Sequence, residues 1–242
     1  MYEKIDKRLL EKIAILNSKS KVNCVILADN YCDTYRDLRK ICKENIIELP
    51  IISGFAVDVT IANLYNIAKL NAIKFISSVT RVNSLIFKSK QFLKTNILEE
   101  QIKDNSSHSV VVIDTGIYPH VDFLLGKNRI VKFVDLINNK KDFYDDNGHG
   151  TFVTGVLGGS GIVDKYSGID NKCNIIVIKA LDNDGETTSI KILQAMQWIL
   201  DNRKKYNIKV VCMSFGSILS EQNDPLMYGA EMLWNSGICV VS

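Results

Sequence analysis

Residues 110–116 read Val-Val-Val-Ile-Asp-Thr-Gly, four apolar residues followed by an acid, a hydroxyl and a glycine. An unbroken apolar run of this length predicts a strand that is buried on both faces, as in a parallel sheet covered by helices. In such sheets the functional residues lie at the carboxyl ends of the strands. Asp114 is therefore the first candidate for chemistry.

The rest of the C-terminal part continues this alternation of apolar strands with amphipathic helices. We predict further strands at 175–180, 210–213 and 238–241, and helices at 151–157, 189–202 and 224–237. Pro225 suits the first position of the last helix. The order predicts a mainly parallel α/β sheet within residues 108–242.

The N-terminal part has a different pattern. A short amphipathic helix at 3–17 precedes elements in the order β-α-β-β-α-β over residues 22–79, which is the ferredoxin-like arrangement. Asp33 and Thr60 are the predicted caps of its two helices. We therefore predict an N-terminal helix within residues 1–20 and a small ferredoxin-like domain over 21–82.

Residues 83–107 have weak periodicity and many polar side chains, which predicts a linker between the two parts. Exposed polar linkers are natural sites of proteolytic cutting. The predicted organisation is thus a helix, a small domain, a linker and a larger α/β domain over 108–242.

Composition and charge exclude several classes of protein. The formal net charge of +3 is too small to indicate a nucleic-acid-binding protein. No apolar run approaches the roughly 18 residues of a membrane span. The N-terminus lacks the apolar core and the cleavage site of a signal peptide. We therefore expect a cytoplasmic protein, with secretion by another route as the open alternative, and we expect it to bind neither nucleic acid nor membrane.

Taken alone, Asp114-Thr115-Gly116 suits two kinds of site. It fits one half of an aspartic protease, and it fits the acid of a Ser-His-Asp triad. The aspartic mechanism needs a second carboxylate that shares a proton, and the chain contains no second Asp-Thr-Gly. A turn-forming Asp is the plain structural alternative.

His149 lies in the string Asn-Gly-His-Gly-Thr-Phe-Val-Thr-Gly, residues 147–155. Glycine on either side lets backbone and substrate approach the ring closely. An imidazole can accept and return a proton near neutral pH. The string therefore predicts a catalytic histidine at the start of a helix.

The run Val-Cys-Met-Ser-Phe-Gly, residues 211–216, ends an apolar strand in Ser-x-Gly. Such an edge can pair its backbone with an extended peptide, which is β-augmentation. A buried strand followed by a glycine turn is the structural alternative.

These three strings, in this order, resemble those of the subtilisin-like serine proteases, the subtilase family. VVVIDTGIYPHVDF is similar to the family's Asp segment. DDNGHGTFVTGVLGG is similar to its His segment, with Phe152 and Thr154 where His and Ala are frequent. Residues 175–217 resemble the strand, loop, helix and strand that follow. The resemblance covers residues 109–242.

The resemblance implies a serine-type endopeptidase that hydrolyses peptide bonds by acyl transfer through an Asp-His-Ser triad. His149 would take the proton of the attacking serine, and Asp114 would orient the His149 ring. A peptide or protein substrate would lie extended between two segments. The implied substrate-binding residues are Ser214, Phe215 and Gly216 in one segment and Gly185, Glu186 and Thr187 in the other.

The resemblance also gives the N-terminal part a role. Subtilases carry a propeptide of ferredoxin-like fold that assists folding and then blocks the active site. Residues 21–82 would be this intramolecular inhibitor, and 83–107 would contain the processing site. The expected fold class is α/β: a ferredoxin-like (α+β) propeptide followed by an incomplete subtilisin-like three-layer domain with a mainly parallel sheet.

Parts of the family's pattern are not found in the sequence. The family's nucleophile stands in a Gly-Thr-Ser-x-Ala segment, and neither this string nor a matching oxyanion-hole Asn is present. We therefore expect the 242 residues alone to lack peptidase activity, and we expect the parent protein to have it.

Many subtilases bind structural Ca²⁺, which needs six to eight oxygen ligands. Asp122 falls near a family ligand, but Ile162 stands about where a side-chain amide is expected. We predict no cofactor and no dedicated metal site.

Two other classes stay open. One is a catalytically inactive or truncated subtilase, a pseudoprotease that binds peptides as an interaction module. The other is a receiver-like α/β protein that uses Asp114 at the end of its strand. A receiver needs further acids and a lysine at neighbouring strand ends, and it has no use for the string 147–155.

Overall fold

The computed structural model describes residues 2–42, 46–84, 108–162, 167–217 and 224–242. They form two compact units. The first contains the described residues of 1–81, 188–200 and 218–236, and the second contains those of 82–187, 201–217 and 237–242. The boundaries predicted at 20, 82 and 107 stay predictions, and residues 85–107 of the predicted linker lie outside the described residues.

The first unit is built on a four-stranded antiparallel sheet in the order β2-β3-β1-β4. Its strands are β1 (Lys21–Ala28), β2 (Ile46–Leu49), β3 (Gly54–Thr60) and β4 (Ile73–Ser78), and its helices are α1 (Lys7–Ala14), α2 (Tyr31–Ile41) and α3 (Ile61–Ala68). The predicted β-α-β-β-α-β order is present. This strand order is that of the ferredoxin-like fold.

The two helix caps within this sheet differ in outcome. Thr60 accepts a hydrogen bond from the N–H of Asn63 and caps α3, as predicted. The prediction of Asp33 as the cap of α2 is wrong, because Asn30 caps this helix and accepts a hydrogen bond from the N–H of Asp33. Asn is as good a cap as Asp, and the helix begins three residues earlier than its apolar pattern indicates.

Two more helices belong mainly to the first unit, α6 (Ser189–Asn202) and α7 (Pro225–Asn235). Asp224 caps α7 through the N–H of Leu226, and Pro225 occupies its first turn as predicted. Helix α7 contacts the short 3-10 helix Pro50–Ile52.

The second unit contains a five-stranded parallel sheet in the order β12-β10-β6-β8-β7. Its strands are β6 (Ser109–Asp114), β7 (Ile130–Asp135), β8 (Asn174–Lys179), β10 (Ile208–Cys212) and β12 (Cys239–Val241). Strand β6 is central and buried along its whole length, as its apolar run predicts. Strand β12 is at one edge of the sheet.

Helix α5 (His149–Gly158) packs against β6, and a short helix α4 (Val121–Leu124) precedes β7. A smaller three-stranded sheet of the second unit has the order β11-β5-β9. Its strands are β5 (Arg81–Ser84), β9 (Glu186–Thr188) and β11 (Phe215–Ser217). Across the described residues, no helix combines the length and apolarity needed to cross a membrane.

Candidate active site

Asp114 ends the central strand β6, and its side chain is fully buried. Its Oδ1 accepts a 2.7 Å hydrogen bond from the N–H of Thr115 and lies 2.7 Å from the Nδ1 of His149. Its Oδ2 has no hydrogen-bond partner among the described residues. The structure thus brings the predicted acid and the predicted histidine into direct contact.

His149 is the first residue of α5, and 12% of its side chain is exposed. The helix can approach the end of β6 only because its second residue is a glycine: a Cβ on Gly150 would lie 2.3 Å from the carbonyl oxygen of Gly116. Glycines on both sides of His149 were predicted to allow close approach. At one of them, Gly150, the structure leaves no space for a side chain.

Asp145 holds the loop that leads to His149. Its carboxylate accepts hydrogen bonds from the hydroxyls of Thr115 and Thr151 at 2.8 and 2.6 Å, and from the amide groups of Asn147, Gly148 and Thr151. One carboxylate therefore ties the residue after Asp114 to the residues on both sides of His149. The sequence patterns described above assign no role to Asp145, although an acid four residues before a His-Gly pair is a signal that could have marked it.

The pKa values of the two carboxylates near His149 are shifted in opposite directions. Burial raises the pKa of Asp114, and the hydrogen bonds from His149 and from the N–H of Thr115 act against this rise. Burial also raises the pKa of Asp145, but the hydrogen bonds from Thr151, Gly148 and Thr115 outweigh it, so the net pKa is lowered.

A groove of about 530 Å³ opens beside the His149 ring in the second unit. Its wall is mostly apolar, and Phe152 and Val156 on α5 are 60% and 49% exposed there. Ser214 and Cys212 also line it, and the Sγ of Cys212 lies 3.5 Å from the Oγ of Ser214. The structure thus places Ser214 on the same groove as His149.

The two segments predicted to bind substrate lie on either side of a third strand. Phe215 and Gly216 belong to β11, and Glu186 and Thr187 belong to β9, directly after Gly185. Strand β5 lies between β11 and β9. It pairs with β11 in antiparallel register, with Phe215 opposite Ser84 and Gly216 opposite Asn83.

Residues 82–84 of β5 therefore occupy the position of an extended peptide between both predicted binding segments. The N–H of Ser84 donates a 2.8 Å hydrogen bond to the carbonyl oxygen of Gly185, and Val82 is fully buried. Sequence reasoning missed this strand and began the linker at residue 83. Four residues, Arg-Val-Asn-Ser, carry too little pattern to predict a strand.

Asp122, near which the family's calcium would be expected, faces hydrogen-bond donors. Its Oδ1 accepts from the hydroxyl of Ser160 and the N–H of Ile162, each at 3.1 Å. A guanidinium nitrogen of the buried Arg129 donates to its carbonyl oxygen at 2.6 Å. Calcium requires oxygen acceptors, so this set of donors beside a cationic side chain does not suit it. Elsewhere in the described parts of the chain, no three His, Cys, Asp or Glu side chains gather as metal ligands.

Residues 105–241 match the family model described as the subtilase family. Serine protease AprX of Bacillus subtilis is 36% identical over 141 residues, which are 54% of this chain and 31% of that protein. Thermitase of Thermoactinomyces vulgaris is 26% identical over 166 residues, which are 66% of this chain and 56% of that protein.

Two solved structures share the fold. The epidermin leader peptide processing serine protease (EpiP) of Staphylococcus aureus has a TM-score of 0.68 at 17% identity, covering 91% of this chain and 59% of that one. Fervidolysin from Fervidobacterium pennivorans, described as a keratinolytic enzyme related to subtilisin, has a TM-score of 0.63 at 14% identity, covering 92% and 39%. The chain thus spans 31% to 59% of the lengths of these four relatives.

Proposed function

Because the chain belongs to the subtilase family, we propose that it is part of a serine endopeptidase that cuts peptide bonds by acyl transfer. The observation that carries the proposal is the 2.7 Å contact between Asp114 Oδ1 and His149 Nδ1 at the end of a parallel strand. This arrangement has no use in a receiver-like protein.

In the proposed mechanism, the proton on His149 Nδ1 is held by Asp114, which leaves Nε2 to act as the general base. Nε2 takes the proton of a serine as it attacks the peptide carbonyl, and later returns it to the leaving amine. Asp114 stays ionised and stabilises the imidazolium. We assign the attacking serine to sequence outside these 242 residues, because no Gly-Thr-Ser string is present in them.

The substrate of this enzyme is an extended peptide. We assign its binding to Ser214, Phe215 and Gly216 on one side and to Gly185, Glu186 and Thr187 on the other. Strand β5 supports the assignment, since its residues 82–84 already pair with β11 and donate to Gly185.

We further propose that residues 21–82 are an inhibitory propeptide and that processing occurs within 83–107. Support comes from the chain order: the ferredoxin-like fold ends at β4, and the next strand is the one that fills the predicted substrate position. While β5 remains paired, a substrate strand cannot occupy the same position.

The protease proposal is tested by labelling the full-length gene product with a fluorophosphonate, which reacts only with an activated serine. We expect one labelled serine in the wild type and none in His149→Ala, the matched control. A full-length product with no labelled serine contradicts the proposal.

A second candidate function is a peptide-binding module without catalysis. The three-stranded sheet favours this function, because the pairing of β5 with β9 and β11 does not require a catalytic nucleophile. Retention of peptide binding by an unlabelled full-length product would select this candidate.

A further inference from the structure

Lys179 is the last residue of β8, and its side chain is fully buried. In the parallel pair of β6 and β8 it stands directly opposite Asp114. A buried ammonium group costs several kcal/mol unless it is paired and hydrogen-bonded. The proposed mechanism assigns no role to the Lys179 ammonium. Its hydrogen-bond partners therefore indicate what this buried charge does.

The ammonium of Lys179 has three oxygen partners, which is the number of its donor hydrogens. It donates to the carbonyl oxygen of Thr115, to Asp146 Oδ1 at 2.7 Å and to the carbonyl oxygen of Leu181 at 3.0 Å. The ring of Tyr144 lies 5.1 Å away, measured from the nitrogen to the ring centroid. The group is therefore fixed from several sides.

Two of these partners belong to the two segments that carry the Asp114–His149 pair. Thr115 directly follows Asp114, and Asp146 precedes His149 by three residues. The backbone reinforces the first link, because the N–H groups of Ala180 and Leu181 both donate to the carbonyl oxygen of Asp114. One buried charge thus connects the end of β6 with the loop that begins α5.

Asp145 connects the same two segments, but through different atoms. It binds the hydroxyl of Thr115, whereas Lys179 binds the carbonyl oxygen of that residue. The carbonyl that Lys179 binds belongs to the peptide unit between Thr115 and Gly116, so Lys179 holds Thr115 by its backbone and Asp145 holds it by its side chain. Loss of the Lys179 contact would let Thr115 shift, and the N–H of this residue donates to Asp114 Oδ1.

We propose that Lys179, with Asp146, is a positioning residue for the Asp114–His149 pair. It acts through the carbonyl of Thr115 and through the loop before His149, and it touches neither substrate nor the reacting atoms. The consequence of this positioning for catalysis rests on the proposed function, whereas the effect of Lys179 on the His149 ring does not. Catalytic hydrogen bonds need positioning within about 0.5 Å, which a buried three-way contact supplies.

The test is nitrogen-detected NMR of the His149 ring in the 242-residue chain, which needs no nucleophile. In the wild type we expect the proton on Nδ1, held by Asp114. In Lys179→Met we expect exchange of this Nδ1 proton with solvent to be at least about tenfold faster, as for the loss of one hydrogen bond's energy. We also expect a shift toward the Nε2–H form that free imidazole prefers.

Two further variants separate positioning from plain stability. Asp146→Asn should reproduce the NMR change while the Lys179 side chain stays in place, and it also costs stability because the buried ammonium loses its paired charge. Lys209→Met, an exposed lysine on β10, should change neither and is the matched control.

An unchanged His149 spectrum in Lys179→Met, even with a lowered melting temperature, would reduce Lys179 to a structural residue and overturn the proposal. If Lys179→Met does not fold, an unchanged spectrum in Asp146→Asn overturns it as well. The proposal is also overturned if the wild-type spectrum shows that the His149 ring carries no proton on Nδ1. Failure of the fluorophosphonate test would instead remove the protease assignment and leave the positioning result intact.

Discussion

The backbone N–H of Ser84 donates a 2.8 Å hydrogen bond to the carbonyl oxygen of Gly185. This bond links β5 to the loop before β9, while Phe215 and Gly216 pair with β5 from the other side. Gly185 has a positive φ of 74°, and a Cβ there would lie 2.4 Å from the Ser84 hydroxyl. The loop is therefore shaped to receive a strand closely.

The first prediction tests this pairing. Ser84→Pro removes the donated N–H and should detach β5 from the loop at Gly185. We expect trypsin to cut after Arg81 about tenfold faster than in the wild type, because cutting requires the strand to leave the sheet. Ser84→Ala keeps the N–H and is the matched control. Equal cutting rates in all three chains would show that this bond does not hold β5.

The second prediction concerns the approach of α5 to β6. Gly150→Ala places a methyl group against the carbonyl oxygen of Gly116, and should destabilise the chain by about 1–3 kcal/mol or more. Gly155→Ala lies in the same helix with nothing within 4 Å of the added Cβ. It should stabilise the chain by up to ~1 kcal/mol, the helix propensity difference. Urea unfolding measures both, and equal signs would contradict the packing.

The third prediction is the pH dependence of Asp145. Its folded-state pKa is lowered by hydrogen bonds that outweigh burial, so it lies below the unfolded value of about 3.9. The stabilisation is then fully present above that unfolded value and is lost as pH falls through the folded pKa.

Asp145→Asn should cost about 1–3 kcal/mol of unfolding free energy at pH 7, because donors that faced a carboxylate lose their acceptors. The difference from the wild type should shrink progressively below about pH 4. Urea unfolding from pH 7 to pH 3 measures it, with the exposed Asp142→Asn as control. A difference independent of pH would exclude the charge of Asp145 as its source.

The fourth prediction uses the free cysteines as probes of burial. Burial raises the pKa of Cys24 and of Cys173 to about 12, so almost none of either thiol is ionised at pH 8. Cys32 and Cys239 are exposed. Iodoacetamide at pH 8 should modify the exposed pair first, with Cys24 and Cys173 reacting only after urea is added. Mass spectrometry of digested protein reads each site, and early modification of Cys24 would contradict the packing of β1.

The features that depend on residues close together in the sequence could be predicted from the sequence. The unbroken apolar run before Asp114 is sufficient to predict a buried parallel strand, and the glycines around His149 mark a site of close approach. The contact between Asp114 and His149 followed only after the family resemblance, because parallel strands and the helices between them place distant residues together.

The missed features depend on partners far away in the chain. Strand β5 exists because β11 and β9 lie on either side of it, more than 100 residues later in the sequence. Lys179 follows an apolar run. Because lysine is seldom fully buried, the sequence indicates only that the strand ends there. Only the structure shows three oxygens around its ammonium group.

The edge position of β12 has a consequence for the 242 residues when they are prepared alone. Among the described strands β12 has β10 as its one neighbour, and Val241 on it is 48% exposed. The backbone groups on its outer side form a template on which another copy can pair. In the 242 residues taken alone, self-association through this edge should increase with protein concentration, and Val241→Lys should reduce it.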